Sequence, residues 1–216
     1  VTGGTSLVNA IADDIHKDST STTKVTVDNQ DYKVAKNGKI VKNYVTTAPT
    51  TSWATVSDGI TGIKSLSAVN GDTVKFVLND QSEISSVYVT NYNITKVTAV
   101  NSTKVSLDKV GSITIEDNDI YNGIAKDDVV VYTKLYSTTT SDATFVVTKA
   151  ESISGKLDGY KTTEKVTIDG KTYSTMNEEL VGGLTDDAKT TFATSDIGEA
   201  ITAYMVNGFV ACVDMP

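Results

Sequence analysis

Residues 24–32 read KVTVDNQDY and residues 165–173 read KVTIDGKTY. Lys, Val, Thr, Asp and Tyr fall at the same places in both. Apolar and polar residues alternate up to an Asp-Asn or Asp-Gly pair, and a second run follows. Such pairs accept the positive φ of a two-residue turn, so each stretch reads as a β-hairpin. A pattern of period 2 cannot line one face of a helix. A chain that repeats it is built from more than one similar β unit. A weaker third copy, SITIEDNDIYNG, lies at 112–123.

Each copy precedes a second hairpin. GDTVKFVLNDQSEISSVYV (71–89), DDVVVYTKLYSTTTSDATFVVTK (127–149) and GEAITAYMVNGFVACVD (198–214) each give a strand, a polar turn and a strand. The last contains Asn207-Gly208, a strong hairpin signal. Asp72, Asp128 and Glu199 open these hairpins at matching places. Asn37-Gly38 reads as one more turn. Helical signals are few. Leu7, Ile11 and Ile15 recur every four residues with Thr5 or Ser6 as N-cap, which predicts a helix over 5–17. A short helix is expected near 55–65, and another carrying Ala188 and Phe192 after Thr185. The expected fold is therefore mainly β, with two to three tandem small barrel-like or sandwich-like modules and a few short helices. The modules run 1–92 with an N-terminal helix, 93–149, and 150–216 with a short helical insertion. Pairing of these modules into two domains is compatible with the same boundaries.

Composition narrows the function. Thr and Ser number 53 of 216 residues, which suits half-buried pleated surfaces. There are 19 lysines, no arginine and a net charge of −8. Nucleic-acid binding uses basic patches and Arg forks, so no nucleic-acid partner is expected. The acidic balance reads as solubility and mutual repulsion. No apolar run reaches the ~18 residues of a membrane span. The sequence starts VTGGTSLVNA, without Met and without a signal-peptide pattern, so a mature or excised fragment is expected. Cys212 is alone and forms no disulfide within the chain.

Candidate chemistry is sparse. His16 and Cys212 are single, and no GxSxG elbow or phosphate loop accompanies them. His16 reads as an exposed helix residue and Cys212 as a small hydrophobe in a strand. One His and one Cys do not make a usual zinc set. No pair of carboxylates stands out for glycoside hydrolysis. The EDNDIYNG stretch, with Asp128 just after it, offers oxygen ligands of the kind calcium takes. Its candidate ligands are Asp117, Asp119 and Asp128, although the EF-hand spacing is absent. The competing reading is a polar turn with solvated acids. No other cofactor is expected, and no catalytic residue is assigned.

KVTIDGKTY, the insertion after it and GEAITAYMVNGFVACVD are together similar to the extracellular regions of S-layer-type surface proteins of Firmicutes. Many of these carry S-layer homology domains elsewhere. GDTVKFVLNDQSEISSVYVTNYNITKV looks like their companion element, and the resemblance runs over most of 24–216. It implies a non-catalytic structural segment at the cell surface or cell wall, outside the cell. Such a segment spaces or presents other domains and makes lateral contacts. Its partners would be other envelope proteins or wall polymers, reached through regions outside this chain. No stretch here looks like an S-layer homology domain, so a wall anchor would lie elsewhere. The alternative is an adhesion module that binds carbohydrate or a host surface. A cluster of Trp53 with Tyr88 and Tyr92 would be its platform.

Overall fold

The computed structural model describes residues 6–43, 50–137 and 143–216. The chain divides into two compact units, Val1–Asn91 with Lys134–Ala143 and Tyr92–Thr133 with Thr144–Pro216. The fold is mainly β, with three six-stranded sheets. Among the described residues there is one α-helix.

The first sheet contains β1 (Ser6–Ala10), β2 (Lys24–Val27), β3 (Gln30–Lys42), β4 (Thr50–Trp53), β5 (Thr73–Leu78) and β6 (Ile84–Thr90). Asp28 and Asn29 both take positive φ, 49° and 60°, and join β2 to β3 in the expected two-residue turn. β1 pairs antiparallel with β5, which pairs with β6. β6 lies parallel to the second half of β3, and β3 pairs back to β2. Ile15, downstream of β1, bridges to Val27 and closes the ring. The strand order is that of a Greek key, with the fourth strand beside the first and the fifth sealing the circle. Helix α1 (Val56–Lys64) enters between the third and fourth barrel strands. Thr55 caps it by accepting a hydrogen bond from the Asp58 N–H at 3.1 Å. Its buried Ile60 and Ile63 join Val25, Phe76, Ile84 and Val87 in the core. Each such side chain contributes about 1.5–3 kcal/mol by leaving water.

The second sheet contains β7 (Asn93–Val100), β8 (Lys104–Leu107), β9 (Gly111–Thr114), β10 (Asp119–Ile120), β11 (Val129–Tyr136) and β12 (Ala143–Lys149). The third contains β13 (Glu151–Lys161), β14 (Lys165–Ile168), β15 (Lys171–Ser174), β16 (Ala188–Lys189), β17 (Ala200–Val206) and β18 (Phe209–Asp214). Their orders match, β9-β8-β7-β11-β12-β10 against β15-β14-β13-β17-β18-β16, except that the last strand is parallel to its neighbour in β10 and antiparallel in β16. In each, the first strand serves two partners in succession. Residues 151–156 of β13 pair with β17, and the rest of the strand pairs with β14. β7 divides in the same way between β11 and β8. All three modules thus share one plan.

Several expectations change. The N-terminal helix predicted over 5–17 is not formed by the described residues. Ser6–Ala10 is strand β1, and only Ala12–Asp14 makes a 3-10 turn. The spacing of four that suggested a helix is an even number, so a strand also satisfies it. The helical insertion predicted after Thr185 is instead the short strand β16 and a 3-10 turn at Thr194–Asp196. Asn37-Gly38 makes no hairpin. The strand runs through it, with Asn37 at φ 64° and a register shift between Val34 and Lys39. Gly38 has another duty, because a Cβ there would sit 2.1 Å from the Trp53 ring. The third copy of the motif is displaced too. The hairpin equivalent to KVTID is KVSLD at 104–108, where β8 turns through Asp108, Lys109 and Val110 into β9. The turn of the β11–β12 hairpin, residues 138–142, lies outside the described residues.

Within the second unit, the two barrels bury a common face. Val129 and Val131 on β11 point away from their own core. They meet Leu184, Val206, Ala211 and Cys212 of the following barrel. Val130, between them, faces inward. Strands buried on both faces read as unbroken apolar runs rather than alternating ones. VVV at 129–131 and FVACV at 209–213 are such runs.

Candidate functional site

The candidate cation ligands do not converge. Asp117 and Asp119 are exposed on the connection from β9 through β10. Asn118 between them is the residue that works there. Its amide donates to the Thr114 carbonyl at 2.7 Å and accepts from the Phe145 N–H at 2.7 Å. Asp128 is half-buried and already engaged. It accepts from the Tyr121 hydroxyl at 2.5 Å and the Ala125 N–H at 3.0 Å, and Lys149 lies 3.8 Å away. The Tyr121 hydrogen bond holds the Asp128 carboxyl below the usual carboxylate range, and burial pushes the Tyr121 hydroxyl upward. Among the described residues, no group of three or more His, Cys, Asp and Glu side chains is placed to hold a metal ion.

Asp128 instead belongs to a repeated turn. Its N–H bonds back to the carbonyl three residues earlier, and its carboxylate accepts from the N–H of that same residue. Asp72 does this with Val69, Asp128 with Ala125, and Asp196 with Ala193. The first two precede the fourth barrel strand directly. In the last module the equivalent is therefore Asp196 and not Glu199. Asp14 with Ile11 makes the same pair of bonds. The Ala193 hydrogen bond also lowers the pKa of Asp196, helped by Lys189 at 3.3 Å.

The single His, Cys and Trp each have a structural setting. His16 is exposed, 3.9 Å from Asp18. Cys212 is fully buried in the face shared by the two barrels, and burial pushes its thiol up to about 12. A thiol in that state is no nucleophile. Trp53 is buried, donates to the Ala35 carbonyl at 2.9 Å, and lies between Gly38 and Gly59. It is core of the first unit, so it offers no platform. Tyr92 packs against the shared face of the second unit.

Among the described residues, one arrangement with room for a ligand is in the last barrel. A cleft of 610 Å³ opens between the start of β13, the strand β15 and the turn from β17 to β18. It is lined by the buried Met205, the half-buried Ile153, Tyr173 and Phe209, and the exposed Lys171 and Glu151. The Asp169-Gly170 turn leads into β15, and the Asn207-Gly208 turn brings Gly208 to the cleft; both have paired positive φ. The first turn is docked on β13, where the Lys156 N–H donates to the Asp169 carboxylate at 2.9 Å. A Cβ at Gly155 would come within 2.4 Å of that carboxylate, so this close approach needs glycine. Lys171 holds its ammonium 4.9 Å from the centroid of the Tyr173 ring.

The cleft exists because the third and fifth strands of this barrel barely meet. In the first barrel, β3 continues past its hairpin and pairs with β6 as far as Lys42 and Val89. In the last, β15 stops at Ser174, and a single parallel bridge from Thr175 to Val210 closes the ring. A second cleft of 540 Å³ lies beside Asp169, Thr202 and Pro216. It has no aromatic wall, and its Ser154 and Thr202 hydroxyls bond each other at 2.9 Å.

Tyr173 lies on β15 and Phe209 on β18. No local signal marks the two as neighbours, since they meet only through the ring closure. Compared with known proteins, the chain matches no family model, no curated protein and no solved structure.

Proposed function

We propose that this chain is a non-catalytic structural segment of a bacterial cell-surface protein of the S-layer type. It spaces or presents other domains outside the cell and makes lateral contacts with envelope partners. The observation that carries this reading is the apolar face shared by the two barrels of the second unit. Separate beads on flexible linkers keep polar surfaces toward one another. Here Val129, Val131, Ala211 and Cys212 leave water only when both barrels are in place, which makes a stiff double module suited to holding distance.

Calorimetry of the intact chain tests the reading. Residues 92–133 and 144–216 should melt in one cooperative transition, and Val131→Asp should lower its midpoint. Independent melting of the 93–149 and 150–216 barrels would remove the basis for a stiff spacer. Turnover of glycoside, ester or peptide substrates by the purified chain would refute its non-catalytic half. The adhesion reading has one specific observation behind it, the aromatic cleft of the last barrel.

A further inference from the structure

We propose that the cleft between β15 and the β17–β18 turn is a binding site for a neutral saccharide. It is an activity additional to spacing, and it stands or falls independently of that role. Three features carry it.

The first is shape. At 610 Å³ the cleft is within the range of about 300–1,000 Å³ typical of small-molecule sites. Its walls are strands and tight turns rather than long loops, so little ordering is needed on binding.

The second is chemistry. Tyr173 and Phe209 are half-exposed and line the cleft together with Met205. Phe209 gives an apolar surface for the C–H face of a sugar ring, and the Tyr173 ring, packed on the barrel core and overlaid by the Lys171 ammonium, borders it. Hydroxyls that both donate and accept line the cleft as well, from Ser152 and Ser174, while the Thr172 hydroxyl is bonded to that of Thr167 at 2.8 Å. Glu151 adds an acceptor and Lys171 a donor, and their charges cancel. An anion would call for an excess of positive charge and a cation for an excess of carboxylates. A neutral polyhydroxy ligand with one apolar face uses all of these groups at once.

The third is the contrast between two copies of one motif. In KVTVDNQDY, the strand after Tyr32 runs on and pairs with β6, so the chain itself fills the seam. In KVTIDGKTY, the strand ends one residue after Tyr173, and the ring closes only beyond it, through the Thr175–Val210 bridge and the Met176 N–H to the Val210 carbonyl, so the cleft lies alongside residues 171–174. The duplicated hairpin is thus shared, and the site is particular to the last barrel.

The test is a ¹H–¹⁵N NMR titration of the whole chain with chitobiose, cellobiose and maltose, each to about 20 mM. At least one should shift the amides of 151–153, 171–174 and 208–209, with Kd on the order of 1 mM, the scale of weak single-site recognition. Phe209→Ala should weaken that binding about tenfold or more. Lys171→Ala removes an exposed side chain, should fold normally, and should weaken binding several-fold. Thr202→Ala, in the second cleft, should leave it unchanged. The proposal is overturned if none of the three sugars shifts these amides. It is also overturned if the shifts fall elsewhere, or if Lys171→Ala binds like the parent. A Val-Thr-Val-Thr peptide that shifts the same amides while the sugars do not would overturn it in favour of strand docking at the β15 edge. A cooperative melt with no sugar binding would leave the spacer reading standing alone. Sugar binding with separate melts would do the reverse.

Discussion

The Trp53 ring lies between two glycines, and replacing one of them separates steric fit from helix propensity. Gly59 and Gly62 are both within α1, three residues apart. Replacing either with Ala removes the helix penalty of Gly, a gain of about 0.8–1 kcal/mol. Their surroundings differ. A Cβ at Gly59 would lie 2.6–2.8 Å from Trp53 atoms, closer than non-bonded carbons tolerate. Trp53 has little room to yield, because its N–H is tied to the Ala35 carbonyl and Gly38 backs its other side. Overpacking of this kind costs about 1–3 kcal/mol. At Gly62 the nearest atom is the tip of Ile40, at 3.1 Å, and a side-chain end can swing aside. Gly62→Ala should therefore stabilise by roughly 0.5–1 kcal/mol, and Gly59→Ala should destabilise by up to about 2 kcal/mol. Trp53 is the sole tryptophan, so its fluorescence in a urea titration reports on this unit directly. A Gly59→Ala variant as stable as Gly62→Ala would refute the account of the packed ring.

Two further outcomes follow from groups whose protonation the fold shifts. Asp128 is held ionised below its usual range, so its contribution is complete above the unfolded carboxyl pKa near ~3.9 and is lost as pH falls through the lower folded value. Asp128→Asn should lower the melting temperature at neutral pH and shrink the drop seen between about pH 5 and about pH 2; parallel pH profiles for parent and variant would count against it. The buried Cys212 thiol, raised to about 12, should resist an aromatic disulfide reagent at pH 8 and react once urea unfolds the second unit; native-state labelling at the rate of a free thiol would contradict its burial.

Hairpins were legible because their turns are local chemistry. Asp28-Asn29, Asp169-Gly170 and Asn207-Gly208 all take the positive φ that their residue types allow. The hairpin at 104–114 was missed because its turn is Asp108-Lys109-Val110, where a lysine takes φ 60° without glycine or asparagine to announce it. The comparison KVTVD, KVTID, KVSLD would have found it. Asn37-Gly38 misled in the other direction, since Gly38 serves a ring 15 residues later in the chain. The N-terminal strand was read as helix because its partner, β5, begins more than 60 residues downstream. Glu199 adjoins β17 and so reads as its opening acid, whereas the clasp of Asp196 on Ala193 shows only in the hydrogen bonds. The cleft was not legible at all. It depends on the chain reaching β18 only beyond β15, at Thr175, and no local pattern records where such a closure begins. The runs at 129–131 and 209–213 were available clues to a face buried on both sides.

The shared face of the second unit also sets a schedule for synthesis. Val129 and Val131 leave the ribosome well before Ala211 and Cys212, which cover them. At about 5–20 residues per second, the earlier barrel waits roughly 3–13 s with an apolar surface uncovered. The last barrel cannot close sooner, because β18 lies between β17 and β16 in its sheet. For that interval the nascent chain is exposed to chaperones and to premature pairing with a neighbouring copy. Within the second unit, the apolar contact between the two barrels is the last to become possible during synthesis.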